Sequence, residues 1–381
     1  MKQISKALLS AAAIACMLSG IFALPAHAAK GDYIAYVGTY TRPNKSKGIY
    51  AWKFTASTGK LTPIGLVGET ASPSFLAVHP NQKFLYAVNE VGNFEGKKAG
   101  SVSSFAMDTK TGQLKLLNTV STKGDGPCHL AVDPSGKWLY VANYGGGSVA
   151  EYSIKSDGSL SEATNFVQHS GSSANKQRQA GPHAHSTVFS PDGKSVYVND
   201  LGLDEILSYK VGGMTPNDPP FVKIAPGSGP RHLAFTPNGK FAYALTEMTG
   251  SVIAFKYNGG KFEEIQTIPA AEAAPNMSGA EIAVHPSGKF VYASIRGLNH
   301  IAVFAVDPVK GTLTQVERVP SGGKTPRNFA IDPTGAYLLA AHQDSDNITE
   351  FKIDQKTGKL TPTGDTLEGF APVCVIFVPM P

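Results

Sequence analysis

One pattern recurs six times along the chain: an apolar strand, a proline, a turn that usually carries Gly-Lys, and a second apolar strand. It reads FLAVHPNQKFLYAVNE from Phe75, HLAVDPSGKWLYVANY from His129 and HSTVFSPDGKSVYVND from His185, and returns from His232, Glu281 and Asn328. The turn prolines Pro80, Pro134, Pro191, Pro237, Pro286 and Pro333 are spaced 54, 57, 46, 49 and 47 residues apart. Such periods mark a repeat architecture, and this one is long enough for a four-stranded unit. A second pattern follows each copy, a strand, a polar turn and another strand, as in SVSSFAMDTKTGQLKLLN and HIAVFAVDPVKGTLTQVE. It also occurs near the N-terminus as GIYAWKFTASTGKLTPIG, which makes seven copies against six of the first pattern. The unmatched pair of strands is supplied from both ends, FAPVCVIFVP at 370–379 as an inner strand and DYIAYVGTY at 32–40 beside it. The expected fold is all-β: a seven-bladed β-propeller with four-stranded blades, closed by N- and C-terminal strands that share one blade.

Composition agrees. Forty Gly and 26 Pro, with 17% charged and 42% hydrophobic residues, exclude a disordered polymer, a coiled coil and a helical array. The length of 381 residues would suggest two or three domains at about 150 residues each, but the repeat overrides that expectation. One domain over 29–381 is expected, preceded by a signal peptide at 1–28. Lys2 and Lys6 form its basic start, Ala7 to Leu24 its apolar run, and Ala26-His27-Ala28 its cleavage site. A periplasmic or secreted location follows, with no membrane span in the remainder. The formal charge of +5 is modest, and the basic residues read as scattered, without stripe or aromatic interleaving. Nucleic acid is therefore not an expected partner. Cys128 and Cys374 read as two buried free thiols.

Antiparallel strands put the start of each inner strand and the end of each second strand on one face. The Pro-x-Gly-Lys turns lie on the other, where Pro and Gly set the turn and Lys137, Lys194, Lys240 and Lys289 are solvated. Inner strands line the central channel, so polar groups at their starts converge on one mouth. Those starts carry Ser74, His129, His183 with His185, Arg231, Glu281 and Arg327. The second strands end on Glu90, Asn143, Asp200, Glu247, Arg296 and His342. Three starts share Gly-Pro before the polar group, at Gly126-Pro127, Gly181-Pro182 and Gly229-Pro230. Arg231, Arg296 and Arg327 suit a carboxylate or phosphate. His183 can act as acid or base, and Glu247 can orient it or serve as base. The plain alternatives are a His183 that bonds a carbonyl and a Glu247 paired with Arg231. A metal held by His183, His185 and Asp200, Asp204 or Glu247 is the minor reading, because alternate residues of a strand face opposite ways. The candidate catalytic residues are thus His183, Glu247, Arg231 and Arg296. His129, Asn143, His185, Asp200, Arg327 and His342 are candidate substrate-binding residues, and neither a cofactor nor a bound metal is expected.

Several segments resemble one family: YVGTYT with KGIY, GPHAHS followed by VNDLGLDEIL, GPRHLAF with LTE, SIRG, and TPRNFAIDP with AAHQ. It is the seven-bladed propeller lactonase family, which includes propeller-type 6-phosphogluconolactonases and carboxymuconate lactonizing enzymes. The resemblance runs from about Tyr33 to Pro379. It implies a metal-independent site in which His183 and Glu247 handle protons while Arg231 and Arg296 hold anions and stabilise an oxyanion. The expected activity is hydrolysis of a sugar-acid or related lactone, with that small molecule as partner. An exported enzyme rarely meets a cytoplasmic phosphosugar, so the lactone chemistry is the firmer expectation than the phosphate. The rivals are a carboxymuconate-type cycloisomerase and a non-catalytic propeller that binds a ligand or partner at its mouth.

Overall fold

A computed structural model describes residues 31–42 and 45–381. The expected signal peptide at 1–28 lies outside the described residues. Among the described residues, twenty-eight strands form seven four-stranded antiparallel sheets. Six sheets run in simple chain order from the innermost strand outward. Those innermost strands begin with Leu76–Val78 in blade 2 and end with Pro326–Ile331 in blade 7. Blade 1 is sewn from both ends: Pro372–Pro379 lies innermost and pairs with Asp32–Thr39, from Tyr33 opposite Pro379 to Gly38 opposite Cys374. Closure leaves no inner edge open to pairing with another chain.

The repeated residues of the sequence hold neighbouring blades together. In blades 2, 5 and 6 the tyrosine of the second strand is buried and reaches across to the outer turn of the next blade. Tyr86 donates to Gly158 O (3.1 Å), Tyr243 to Gly311 O (3.0 Å) and Tyr292 to Gly358 O (2.7 Å). The Pro-x-Gly turns pack in the same sense. Gly136 adopts φ +73°, and a Cβ there would lie 2.5 Å from the His79 ring of the preceding blade. In blade 2 the equivalent residue is Gln82, which takes φ +60° without the freedom of glycine. Each interface between blades carries its own apolar cluster, so the core is a ring of clusters rather than one centre. Cys128 and Cys374 are both buried and free.

Deletion of residues 370–381 tests the closure. It removes Val373, Cys374, Val375 and Val378, each at most 3% exposed. At about 1.5–3 kcal/mol per buried side chain the loss rivals the whole stability of a typical domain. The truncated chain is expected to aggregate or to melt far below the intact protein in a thermal scan. A monomer with an unchanged melting temperature would contradict the topology.

Candidate active site

Two positions of the blade repeat supply the mouth. The first is a β-bulge at the start of the inner strand. In blade 3, Pro127 pairs with Asn143 and His129 with Ala142, which leaves Cys128 unpaired. The same register shift leaves out His185 in blade 4, Arg231 in blade 5 and Arg327 in blade 7. A bulge re-aims its extra side chain: Cys128, His185 and Arg327 line the mouth, and Arg231 lies just behind it against Glu247. The second position is the residue just past the last paired residue of the second strand. It is occupied by Glu90, Tyr144 and Glu247, and in blade 6 by Arg296 opposite Ser278.

These residues enclose a cavity of about 200 Å³. Arg178, Arg296, Arg327 and Glu247 form its charged wall, and Glu90, Tyr144, His185 and Cys128 complete it. That is below the ~300–1,000 Å³ of clefts for drug-sized ligands and suits a compact metabolite.

Glu247 is the hub. Its Oε1 accepts from Arg178 Nη2 (2.6 Å), and its Oε2 accepts from Arg231 Nε (3.1 Å) and lies 3.0 Å from Arg296 Nη2. Burial alone would raise its pKa, but the Arg296, Arg231 and Arg178 guanidiniums outweigh burial and hold it down to about 2. The arginines are fixed in turn. Arg231, 2% exposed, donates to Ala280 O (2.5 Å), and Arg296 donates to Ser278 Oγ (2.5 Å) and Gly279 O (3.0 Å). Arg178 comes from the connector between blades 3 and 4 and also donates to Tyr144 Oη (3.0 Å). Arg327 sits over the Tyr40 ring at 5.3 Å and has no carboxylate within ion-pair distance among the described residues. Tyr40 in turn donates to Glu90 (2.8 Å).

His185 Nε2 faces Glu247 Oε2 at 4.0 Å. Burial, then the nearby Arg231, pushes its pKa well below the ordinary histidine value, so the ring is neutral at pH 7. Beneath it a plug of side chains seals the channel. His129 stacks on Phe75 (3.9 Å), and Glu281 accepts from Asn328 (2.5 Å) and bonds His232 Nδ1 (2.9 Å). The cavity is therefore a closed-bottomed cup.

The structure gathers Glu247, Arg231, Arg296, His185 and Arg327 and separates the other expected residues from them. His183 lies outside the bulge: its Nδ1 bonds Tyr144 O (2.9 Å) and its ring stacks on Tyr144 at 4.7 Å, so it backs the cavity wall. Both plain alternatives, the carbonyl-bound His183 and the Glu247–Arg231 pair, are present in the fold. The similar Gly-Pro steps at Pro182 and Pro230 are not equivalent, because Ala184, not Pro182, holds the paired position of Pro230. Asn143, Asp200 and His342 stand one residue before the mouth position, and a one-residue step turns a strand side chain to the other side. All three are fully buried and hold loops. Asn143 donates to Thr122 O (3.2 Å), Asp200 accepts from His183 N (2.7 Å) and bonds His169 (2.7 Å), and His342 bonds Asn347 O (3.2 Å). His129 belongs to the plug. Sequence reasoning missed Tyr144, whose position after Asn143 matches that of Glu247 after Thr246. It also missed Arg178, a lone arginine in a polar connector that carries no local signal. Among the described residues no three His, Cys, Asp or Glu side chains gather as a metal-ligand set.

Comparison with known proteins agrees with the seven-bladed fold. Residues 34–377 match the family described as Lactonase, 7-bladed beta-propeller. A Bacillus subtilis protein named 6-phosphogluconolactonase is 36% identical over 350 residues, covering 91% of this chain and 98% of that protein. A Formosa agariphila protein of the same name is 35% identical over 305 residues, covering 78% of this chain and 86% of that one. The solved structure of a periplasmic gluconolactonase from Pseudomonas aeruginosa superposes with a TM-score of 0.86 at 34% identity, over 92% of this chain and all of that one.

The hub yields a stability prediction. Glu247→Gln leaves three guanidiniums without their shared carboxylate, and breaking a buried pair in this way costs about 3–5 kcal/mol. The folded pKa of about 2 lies below the ordinary value of 4.5. The charge therefore stabilises the fold fully above about pH 4.5, and about 3 kcal/mol is lost as pH falls toward 2. Denaturant melts at pH 7 and pH 3 check this: the variant should be weaker at pH 7, with the gap narrowing at pH 3.

Proposed function

The chain belongs to the seven-bladed β-propeller lactonase family, and on that basis we propose that it hydrolyses the ester ring of a sugar-acid or related lactone. One observation carries the reading: a neutral imidazole, His185, faces a fixed carboxylate at 4.0 Å inside a small cup walled by guanidiniums. At that distance a water can contact both groups rather than be excluded by a direct bond. His185, uncharged and so with a free ring lone pair, takes the proton of the water as it attacks the lactone carbonyl, and the imidazolium that forms is stabilised by the Glu247 carboxylate that faces it. Arg296 and Arg178 face the oxygen on which negative charge builds. The tetrahedral intermediate collapses with cleavage of the ring C–O bond, and the proton passes to the departing alkoxide, leaving a hydroxy acid. Glu247, with its pKa held near 2, is a poor proton acceptor at neutral pH and serves to align the arginines. His183 supports the cup through Tyr144.

The cup is lined by three arginines and two carboxylates, with Arg327 unclaimed by either, and Arg231 stands behind it against Glu247. This excess of positive charge favours a substrate that carries a carboxylate or phosphate besides the lactone. Export to the periplasm or beyond is supported by the N-terminal sequence and by the periplasmic gluconolactonase among the similar structures. That setting favours a sugar-acid lactone made outside the cytoplasm.

A lactone panel assayed against the uncatalysed ring-opening rate tests the activity, and variants test the roles. His185→Ala should lower kcat by ~10²–10⁴, with His183→Ala milder. Arg327→Met should raise KM for acidic lactones and spare neutral ones. A more damaging His183→Ala would transfer the proton role to His183, and no turnover of any lactone would leave the mouth a binding site. Solvent oxygen in the product separates hydrolysis from a cycloisomerase, which incorporates none.

A further inference from the structure

Basic residues that are dispersed along the chain collect on one face of the folded ring, opposite the mouth. The turns between inner and second strands carry Lys83, Lys137, Lys194, Lys240 and Lys289, all exposed. The outer turns of the same face carry Lys60, Lys110, Lys155, Lys310 and Lys356, also exposed. Of these, only Lys194 has an ion pair among the described residues, with Asp192 at 3.9 Å. The aspartates of the outer turns, Asp108, Asp157, Asp307 and Asp354, feel the charge of Lys110, Lys155, Lys310 and Lys356 but make no direct ion pair with them. Asp108, Asp307 and Asp354 fold back to accept backbone N–H groups of their own turns, at 2.9, 2.9 and 2.8 Å. Ion pairs occur on both faces: Lys45–Asp346 (2.7 Å) and Lys223–Glu205 (3.3 Å) on the mouth side, and Lys53–Asp32 (2.7 Å) on the turn side.

Hollows between blades deepen this face. One is lined by Lys137, Lys194 and Lys210 beside Asp133 and Asp192, another by Lys240, Lys256 and Lys310 beside Glu263. Val309, at the tip of the blade 6 outer turn beside Lys310, is 84% exposed, the most exposed large apolar side chain among the described residues.

We propose that the turn face docks the protein on an anionic phospholipid surface and holds the mouth toward solution. Lysines spread around the ring match a plane of charge, whereas a linear polyanion would select a stripe. Lysine ammoniums on flexible stems suit diffuse attraction to headgroups, and an apolar tip among them suits the bilayer boundary. The proposal does not depend on the reaction performed at the mouth.

Co-sedimentation of the protein lacking residues 1–28 with vesicles tests it. Phosphatidylcholine vesicles are compared with vesicles containing about 30% phosphatidylglycerol, at about 0.05 and 0.5 M salt. Binding is expected only to the anionic vesicles at low salt. Combined Lys137→Gln, Lys194→Gln, Lys240→Gln and Lys289→Gln should weaken it at least tenfold. The charge-matched mouth-side set Lys47→Gln, Lys97→Gln, Lys123→Gln and Lys324→Gln should change it by less than threefold. Failure of the wild type to bind, equal loss in both variants, or binding to dextran sulfate but not to vesicles would each overturn the proposal.

Discussion

A single buried carboxylate, Glu247, holds together three guanidiniums that arrive from three parts of the chain: the connector after blade 3, blade 5 and blade 6. Without it the mouth would be a cluster of like charges in a desolvated cup, which the surrounding blades could not keep closed. With it, two of the arginines still present donors to the cavity while their repulsion is offset. The same contact sets the chemistry. A carboxylate so strongly favoured in its charged form gives up its capacity as a base, which is why the proposed mechanism assigns the proton to His185.

The propeller can build such a site because its repeat is strict on one face and free on the other. Tyrosines of the second strands and Pro-x-Gly turns make the same inter-blade contacts again and again, so they tolerate little change. The bulge residue and the residue past the second strand have no such task. They hold Cys, His, Arg and Arg in one set and Glu, Tyr, Glu and Arg in the other. One backbone device, repeated around an axis, thus supplies chemically different groups to one point.

The blades, their number and the joining of both termini were legible because apolar alternation and turn residues are local signals. The face that carries the site followed from strand direction alone. The exact residues were harder to read. The bulge shifts the alternation by one residue, so His183 draws the proton role and His129 a place at the mouth, while His185, read as substrate-binding, and Cys128 take the position equivalent to Arg231. Asn143, Asp200 and His342 were misplaced by one step of a two-residue period, because the last paired residue of the second strand reads as the one just past it. Arg178 reaches the mouth from a connector, and no periodicity points to it. The turn lysines Lys137, Lys194, Lys240 and Lys289 were legible on the face opposite the mouth but read only as solvated turn residues, because their gathering with the outer-turn lysines appears only in the closed ring.

The account turns on the state of one side chain. The most direct measurement is a ¹³C NMR titration of the Glu247 carboxyl in the folded protein, assigned by comparison with Glu247→Gln. The prediction is a carboxylate that stays ionised through the acid range and begins to protonate only as pH approaches about 2. A carboxyl that titrates near 4.5 or above would contradict the three-arginine hub and return Glu247 to the role of a general base.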